Sequence, residues 1–124
     1  MASAGPAPVT SQRMLNNEPI YPRTTMANSW RCVLIGGESL LIQCAEILEQ
    51  RGHAVAAIVS GRPAIRKWAA ARGVRVLADA AALRAAGDLG RIDYLFSVTN
   101  LSVLPADVLA MAVRGAINFH DGPL

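Results

Sequence analysis

Asn118 and His120 lie two residues apart in the run Ala116-Ile117-Asn118-Phe119-His120-Asp121-Gly122-Pro123-Leu124. The run reads as an apolar strand giving way to polar side chains and a Gly-Pro turn. Residues two apart on a strand share a face, so Asn118 and His120 are expected on one side and Phe119 on the other, in a core. An amide N–H can hold an oxygen, and an imidazole titrates near neutral pH and can take or give a proton. At the carboxyl end of a strand the two would lie where open α/β sheets bind ligands. A histidine at a strand end can equally be a structural residue.

Positioning such a pair takes a layered scaffold, and the preceding residues read as one. Cys32-Val33-Leu34-Ile35 is a short apolar run ended by Gly36-Gly37, the pattern of a strand buried on both faces. Leu41, Cys44, Ala45 and Leu48 then mark the apolar face of a helix that starts after Glu38 and is stopped by Gly52. Ala54 to Val59 is a second buried strand. Pro63 opens a helix running through Ile65, Trp68 and Ala69 to Gly73. Val74 to Leu77 is a short strand whose alternation suggests an edge. Asp79 is expected to cap an Ala-rich helix, Ala80 to Ala86, ended by Gly87. Ile92 to Val98 is a fourth strand, and Thr99 to Ser102 form the loop at its carboxyl end. Pro105 opens a last helix through Val108, Leu109 and Met111, with Gly115 expected to end it before the strand of Asn118. Strands alternating with helices imply an α/β, Rossmann-like doubly wound sheet, mostly parallel, with helices on both faces.

Composition narrows the function. The 124 residues are 52% hydrophobic and 17% charged, with a net charge of +3. The basic residues, all arginine but Lys67, are spread along the chain instead of clustered, which argues against a nucleic-acid surface. No apolar run is long enough to span a membrane. Cys32 and Cys44 form neither a disulfide framework nor a zinc pattern, and both read as buried small hydrophobes in a reducing, cytoplasmic setting. Residues 1–29 carry Pro6, Pro8, Pro19 and Pro22 without a sustained period. They are expected to be a disordered leader or linker, with a faint likeness to a transit peptide.

Two further features invite functional readings. Gly36-Gly37 after the first strand could admit a phosphate, but the G-x-G-x-x-G dinucleotide fingerprint is unmet and a tight turn explains the glycines. No acidic residue ends the second strand to hold a ribose, although Arg62 could meet a 2′-phosphate, which leaves an NAD(P)-binding domain as one alternative. His53, after Gly52, reads as a surface turn residue.

The stretch Gly115 to Leu124 resembles the Asn-x-His signature of the folate-dependent formyltransferases. Val98-Thr99-Asn100-Leu101-Ser102-Val103-Leu104-Pro105 is similar to that family's folate-binding loop, and the Gly36-Gly37 turn fits its first strand. The resemblance covers about residues 31–124. Where tRNA-directed members usually continue with Gly-Ser or Pro-Ser, this chain has Asp121-Gly122-Pro123. That variant resembles formyltransferase-like domains of nonribosomal peptide and polyketide synthetases and points away from methionyl-tRNA as substrate.

The resemblance implies transfer of a formyl group from 10-formyltetrahydrofolate to an amine, small or carrier-bound, with other domains of a modular synthetase as partners. Asn118 and His120 would be catalytic, stabilising the tetrahedral oxyanion and relaying a proton. Leu101, Val103 and Leu104 would line the pterin slot, and no metal is implied. The family's third catalytic residue, an aspartate on a later loop, has no counterpart; Asp121 adjoins His120 and should point to the other face. Residues 30–124 are therefore expected to be the front portion of a formyltransferase domain, inactive alone. A noncatalytic docking module of the same fold is the other alternative.

Overall fold

A computed structural model of the protein describes residues 29–100 and 104–119. The element order is β1 (Arg31–Ile35), α1 (Ser39–Gln50), β2 (Ala54–Val59), α2 (Pro63–Ala71), β3 (Val76–Leu77), α3 (Ala80–Ala85), β4 (Ile92–Val98), α4 (Ala106–Leu109) and β5 (Ala112–Phe119). The strands form one sheet in the order β3-β2-β1-β4-β5, every neighbouring pair parallel. This is the expected Rossmann-like α/β architecture.

Alternation along β1 divides the core in two. Cys32 and Leu34 face α1 and α2, where they pack with Leu41, Ala45, Ile58, Ile65, Ala69 and Val98. Val33 and Ile35 face α3 and α4, among Ala57, Val59, Leu77, Leu83, Leu95 and Val108. Leu34, Leu41, Ile58, Leu83 and Leu95 are completely or almost completely buried. Each such side chain contributes roughly 1.5–3 kcal/mol by leaving water, so the two layers hold the helices to the sheet. Burial also pushes the Cys32 thiol up to about 12, against a smaller opposing effect of the Arg31 charge, which leaves it inert. Cys44 departs from expectation, being only half-buried against the same layer.

Both long helices end as their glycines dictate. Gly52 and Gly73 have positive φ of 86° and 74°. Around them His53 N–H donates to Leu48 O and Val74 N–H to Ala69 O, each the outer bond of a Schellman turn. That turn shortens the third strand. Val74 has its N–H committed to α2, so pairing with β2 is confined to Val76 and Leu77, opposite Ile58 and Val59. β3 is an edge strand, as its alternation suggested. Asp79 caps α3 by accepting the Ala82 N–H at 2.9 Å.

Three expectations about the last elements are corrected. The final helix covers only Ala106–Leu109, with Pro105 as its N-cap residue rather than its first turn and Met111 beyond its end. Gly115 lies inside β5, not at the helix end. Ile92 pairs with Ala112 and Tyr94 with Gly115, so β5 carries one extra residue there. Gly115, with φ of 144°, fits a bulge that a side chain would strain. A helix-ending glycine and a bulge glycine look alike in sequence because both supply a positive φ. Phe119 was expected in a core; its ring lies 5.9 Å from that of Phe96, yet it remains 44% exposed because β5 is the other edge strand.

The amino end of the sheet is clamped. Asp93, buried at the start of β4, accepts the Arg31 N–H at 2.9 Å and the Arg91 Nε–H at 2.8 Å, and Arg114 of β5 lies 3.7 Å away. The Arg31 backbone bond first, then the Arg91 bond, holds its carboxyl below the usual carboxylate range against the opposing effect of burial. Trp30 stacks on His53 with centroids 3.7 Å apart, and its backbone N–H donates to His53 Nδ1 at 3.3 Å. His53 is thus more than a surface turn residue. Loss of hydration and the nearby Arg51 charge lower its pKa. Among the described residues no helix is long and apolar enough to cross a membrane.

Candidate functional site

The chain reverses its direction of winding between β1 and β4, which are adjacent in the sheet while β2 lies on the far side of β1. In an open parallel sheet the loops leaving two such strands diverge, and the crevice between them is the natural ligand site. Here a cleft of about 510 Å³ opens at that end, lined by Ile35, Gly36, Gly37, Val59, Ser60, Gly61, Ala78 to Ala81, Asn100 and Leu104.

Gly36 makes the loop after β1 fit. A Cβ there would lie 2.4 Å from Val98 O of β4, and its N–H donates to Val59 O at 3.1 Å. The missing side chain is therefore required by packing of the loop against β4 and β2. Gly37 is covered by Arg62, whose Nε–H donates to Gly37 O at 3.0 Å and whose Cγ would lie 3.2 Å from an added Cβ. These two contacts account for both glycines without a phosphate.

Thr99 follows β4 at φ 47°, a left-handed conformation rarely adopted by a β-branched residue. Its N–H donates to Phe119 O at 2.9 Å, and its Oγ1–H to Val98 O at 2.7 Å. The strain, of order 1–3 kcal/mol, ties the loop after β4 to the end of β5. Strained residues of this kind gather where a loop must be held for function.

The register places the amide predicted as functional. Ser97 pairs with Asn118, and Ser97 pairs also with Ile35 of β1. Ile35 lines the cleft, so Asn118 shares its sheet face and its carboxyl end, while Ile117 and Phe119 lie on the α1 and α2 face with Phe96 and Val98. Asn118 is exposed and is not itself a lining residue of the cleft. Leu104 does line it, while packing against the α3 and α4 layer. Leu101, Val103, His120 and Asp121 lie outside the described residues, as do residues 1–28 of the expected leader.

Sequence reasoning missed Ser60, Gly61, Asp79 and Asn100 as cleft residues. Asp79 was legible only as a cap and Asn100 only as a loop residue. The available signal was positional: each follows directly on a strand's carboxyl end. Among the described residues no group of three or more His, Cys, Asp or Glu could hold a metal ion. The arrangement offers small residues, main-chain polar groups and the Asn100 amide around an open cleft.

Comparison with protein-family models finds no match. Among curated proteins the chain is similar to a methionyl-tRNA formyltransferase of Anaeromyxobacter dehalogenans (strain 2CP-1 / ATCC BAA-258), 33% identical over 114 residues. The alignment takes in 76% of this chain and 35% of the relative, so the chain spans about a third of the relative's length. That similarity supports a relationship to the formyltransferases at the level of the family.

Proposed function

We propose that the protein serves formyl transfer from 10-formyltetrahydrofolate to an amine. The observation that carries this reading is the location of Asn118, at the carboxyl end of β5 and on the cleft face, in a chain similar to a formyltransferase. The amine nitrogen attacks the formyl carbon and the carbonyl oxygen takes up negative charge. The Asn118 amide N–H and the His120 imidazolium donate to that oxyanion as it forms. The bond from carbon to folate N10 then breaks as the His120 imidazolium gives its proton to N10, and the proton that the amine gives up restores the imidazolium. The products are a formamide and tetrahydrofolate. Leu101, Val103 and Leu104 are the residues assigned to the pterin, and of these Leu104 lines the cleft.

The acceptor is an aminoacyl group held by a carrier domain of a nonribosomal peptide synthetase. The support for this is the His120-Asp121-Gly122-Pro123-Leu124 sequence, which differs from the tRNA-directed pattern. A soluble cytoplasmic synthetase subunit is the setting this implies.

Titrating the full-length gene product with a hydrolysis-resistant 10-formyl folate analogue, and separately with NADP, tests the reading. Saturable folate binding that is weakened in Asn118→Ala is the expected result. Tight NADP binding without folate binding overturns it in favour of a nucleotide domain. Folate binding without transfer to any amine would favour a docking module.

A further inference from the structure

Among the described residues Thr99 is the one non-glycine with a positive φ, whereas Gly52, Gly73, Gly90 and Gly115 take such angles without strain. A glycine at position 99 would turn the chain as readily, so the side chain supplies something that a glycine lacks. That is the hydroxyl, whose Oγ1–H donates to Val98 O at 2.7 Å. Val98 O stands where β1 and β4 diverge, and it is the atom that an added Cβ on Gly36 would strike. In the other direction the Thr99 N–H donates to Phe119 O at 2.9 Å. This bond extends by one step the register in which Ser97 is opposite Asn118 and Val98 opposite Phe119. Thr99 thus ties the end of β5 to β4 at the carbonyl against which the loop after β1 is packed. Phe119 separates Asn118 from His120 in the chain, and the residue after Thr99, Asn100, lines the cleft.

We propose that Thr99 is a positioning residue for the formyl-transfer site, acting through Phe119 on Asn118 and His120. The inference deepens the formyl-transfer reading and rests on it for calling the site catalytic. Oγ1 and Val98 O are separated by a planar peptide bond and by the φ and χ1 of Thr99, so a hydrogen bond between them holds φ at 47°. With φ held, the direction in which the loop leaves β4 is held too. The N–H of the same residue anchors Phe119, and because β5 is the edge strand of the described sheet, β4 sets the place of its end. Loop and strand end are therefore fixed at one point, with Asn100 following from one and Asn118 preceding the anchor on the other. A misplacement of about 1 Å in a reacting group can lower a rate by roughly 10²-fold, which gives a strained threonine a reason to stand where glycine would be easier.

The test compares three substitutions in the full-length gene product. Thr99→Val keeps the branched shape and removes the hydroxyl, Thr99→Gly removes the hydroxyl and the strain together, and Thr99→Ser keeps the hydroxyl without the branch. A fall in kcat of roughly tenfold or more is expected in Thr99→Val and Thr99→Gly, restored to within about twofold in Thr99→Ser, with KM for 10-formyltetrahydrofolate changed by less than about twofold throughout. Thr99→Gly should melt higher than Thr99→Val while losing as much kcat, a split that a merely structural role does not give. It also carries the test if Thr99→Val fails to fold. In NMR spectra recorded without folate, the side-chain amide signals of Asn118 should move in Thr99→Val and Thr99→Gly and return in Thr99→Ser. Unchanged kcat in Thr99→Gly, a loss in Thr99→Ser as large as in Thr99→Gly, or Asn118 signals unmoved in every variant overturns the proposal. Absence of formyl transfer by the unaltered protein would overturn the formyl-transfer reading instead, and the Asn118 signals would then decide the positioning role by themselves.

Discussion

The two ends of this sheet are built to different rules. At the amino end charges are matched and rings stacked: Asp93 gathers Arg31, Arg91 and Arg114, and Trp30 lies flat on His53. At the carboxyl end glycines replace side chains and Thr99 is held in a strained conformation. Buried side chains between the two ends are common to both, so the core does not explain the contrast. The amino end contributes stability, and the carboxyl end leaves an open cleft that a ligand can enter. Strain reduces stability, and it gathers where function requires it.

The contrast predicts that substitutions at the two ends divide between activity and stability. Asn118→Ala should have the largest effect, lowering kcat/KM for formyl transfer by roughly 10²–10³-fold while shifting the thermal midpoint less than Gly36→Ala does, because the side chain is exposed. Steady-state kinetics beside a melting curve checks both halves. A large loss of stability would move Asn118 into the structural class.

Gly36→Ala comes next and crosses the boundary. Its Cβ meets backbone at Val98 O, which cannot swing aside, so a loss of about 1–3 kcal/mol in urea unfolding is expected. Unchanged stability would show that the loop after β1 is not pressed against β4.

Asp93→Asn tests the opposite end. The carboxyl is held below its ordinary value in the folded chain, so its contribution is present above the unfolded pKa and is lost as pH falls through the folded one. The variant should melt lower at neutral pH and show a flatter decline toward acid, with kcat unchanged. A change in kcat without a change in the melt would erase the division between the ends.

The smallest effect belongs to His53. Its pKa is lowered by loss of hydration and by Arg51, so the neutral ring that accepts the Trp30 N–H is favoured by folding. Stability from this group is present above the ordinary histidine value of about 6.5 and is lost as pH falls below it. His53→Phe keeps the stack on Trp30 and should abolish that slope between neutral and mildly acidic pH, read from melting curves. A slope of the same size in the variant would assign it elsewhere.

Much of this was legible in the chain. Apolar runs bounded by glycine located β1, β2 and β4, and the 3.6-residue spacing of Leu41, Ala45 and Leu48 located α1, because burial enforces those periods directly. The end of α4 was not legible, since Gly115 supplies a positive φ to a bulge as readily as to a helix stop. The exposure of Phe119 escaped notice because alternation reports a face but not whether anything covers it. The cleft was half legible. Leu104 was marked by motif, whereas Ser60, Asp79 and Asn100 become neighbours only through the strand order, which local sequence does not state.

The most direct measurement is release of tetrahydrofolate from 10-formyltetrahydrofolate by the full-length gene product, with carrier-bound aminoacyl groups and methionyl-tRNA supplied as acceptors. Amine-dependent release, with the formyl group recovered on the carrier-bound acceptor, is the result expected. Absence of release with every acceptor, or release that persists unchanged in Asn118→Ala, would contradict a formyl-transfer site at the carboxyl end of this sheet.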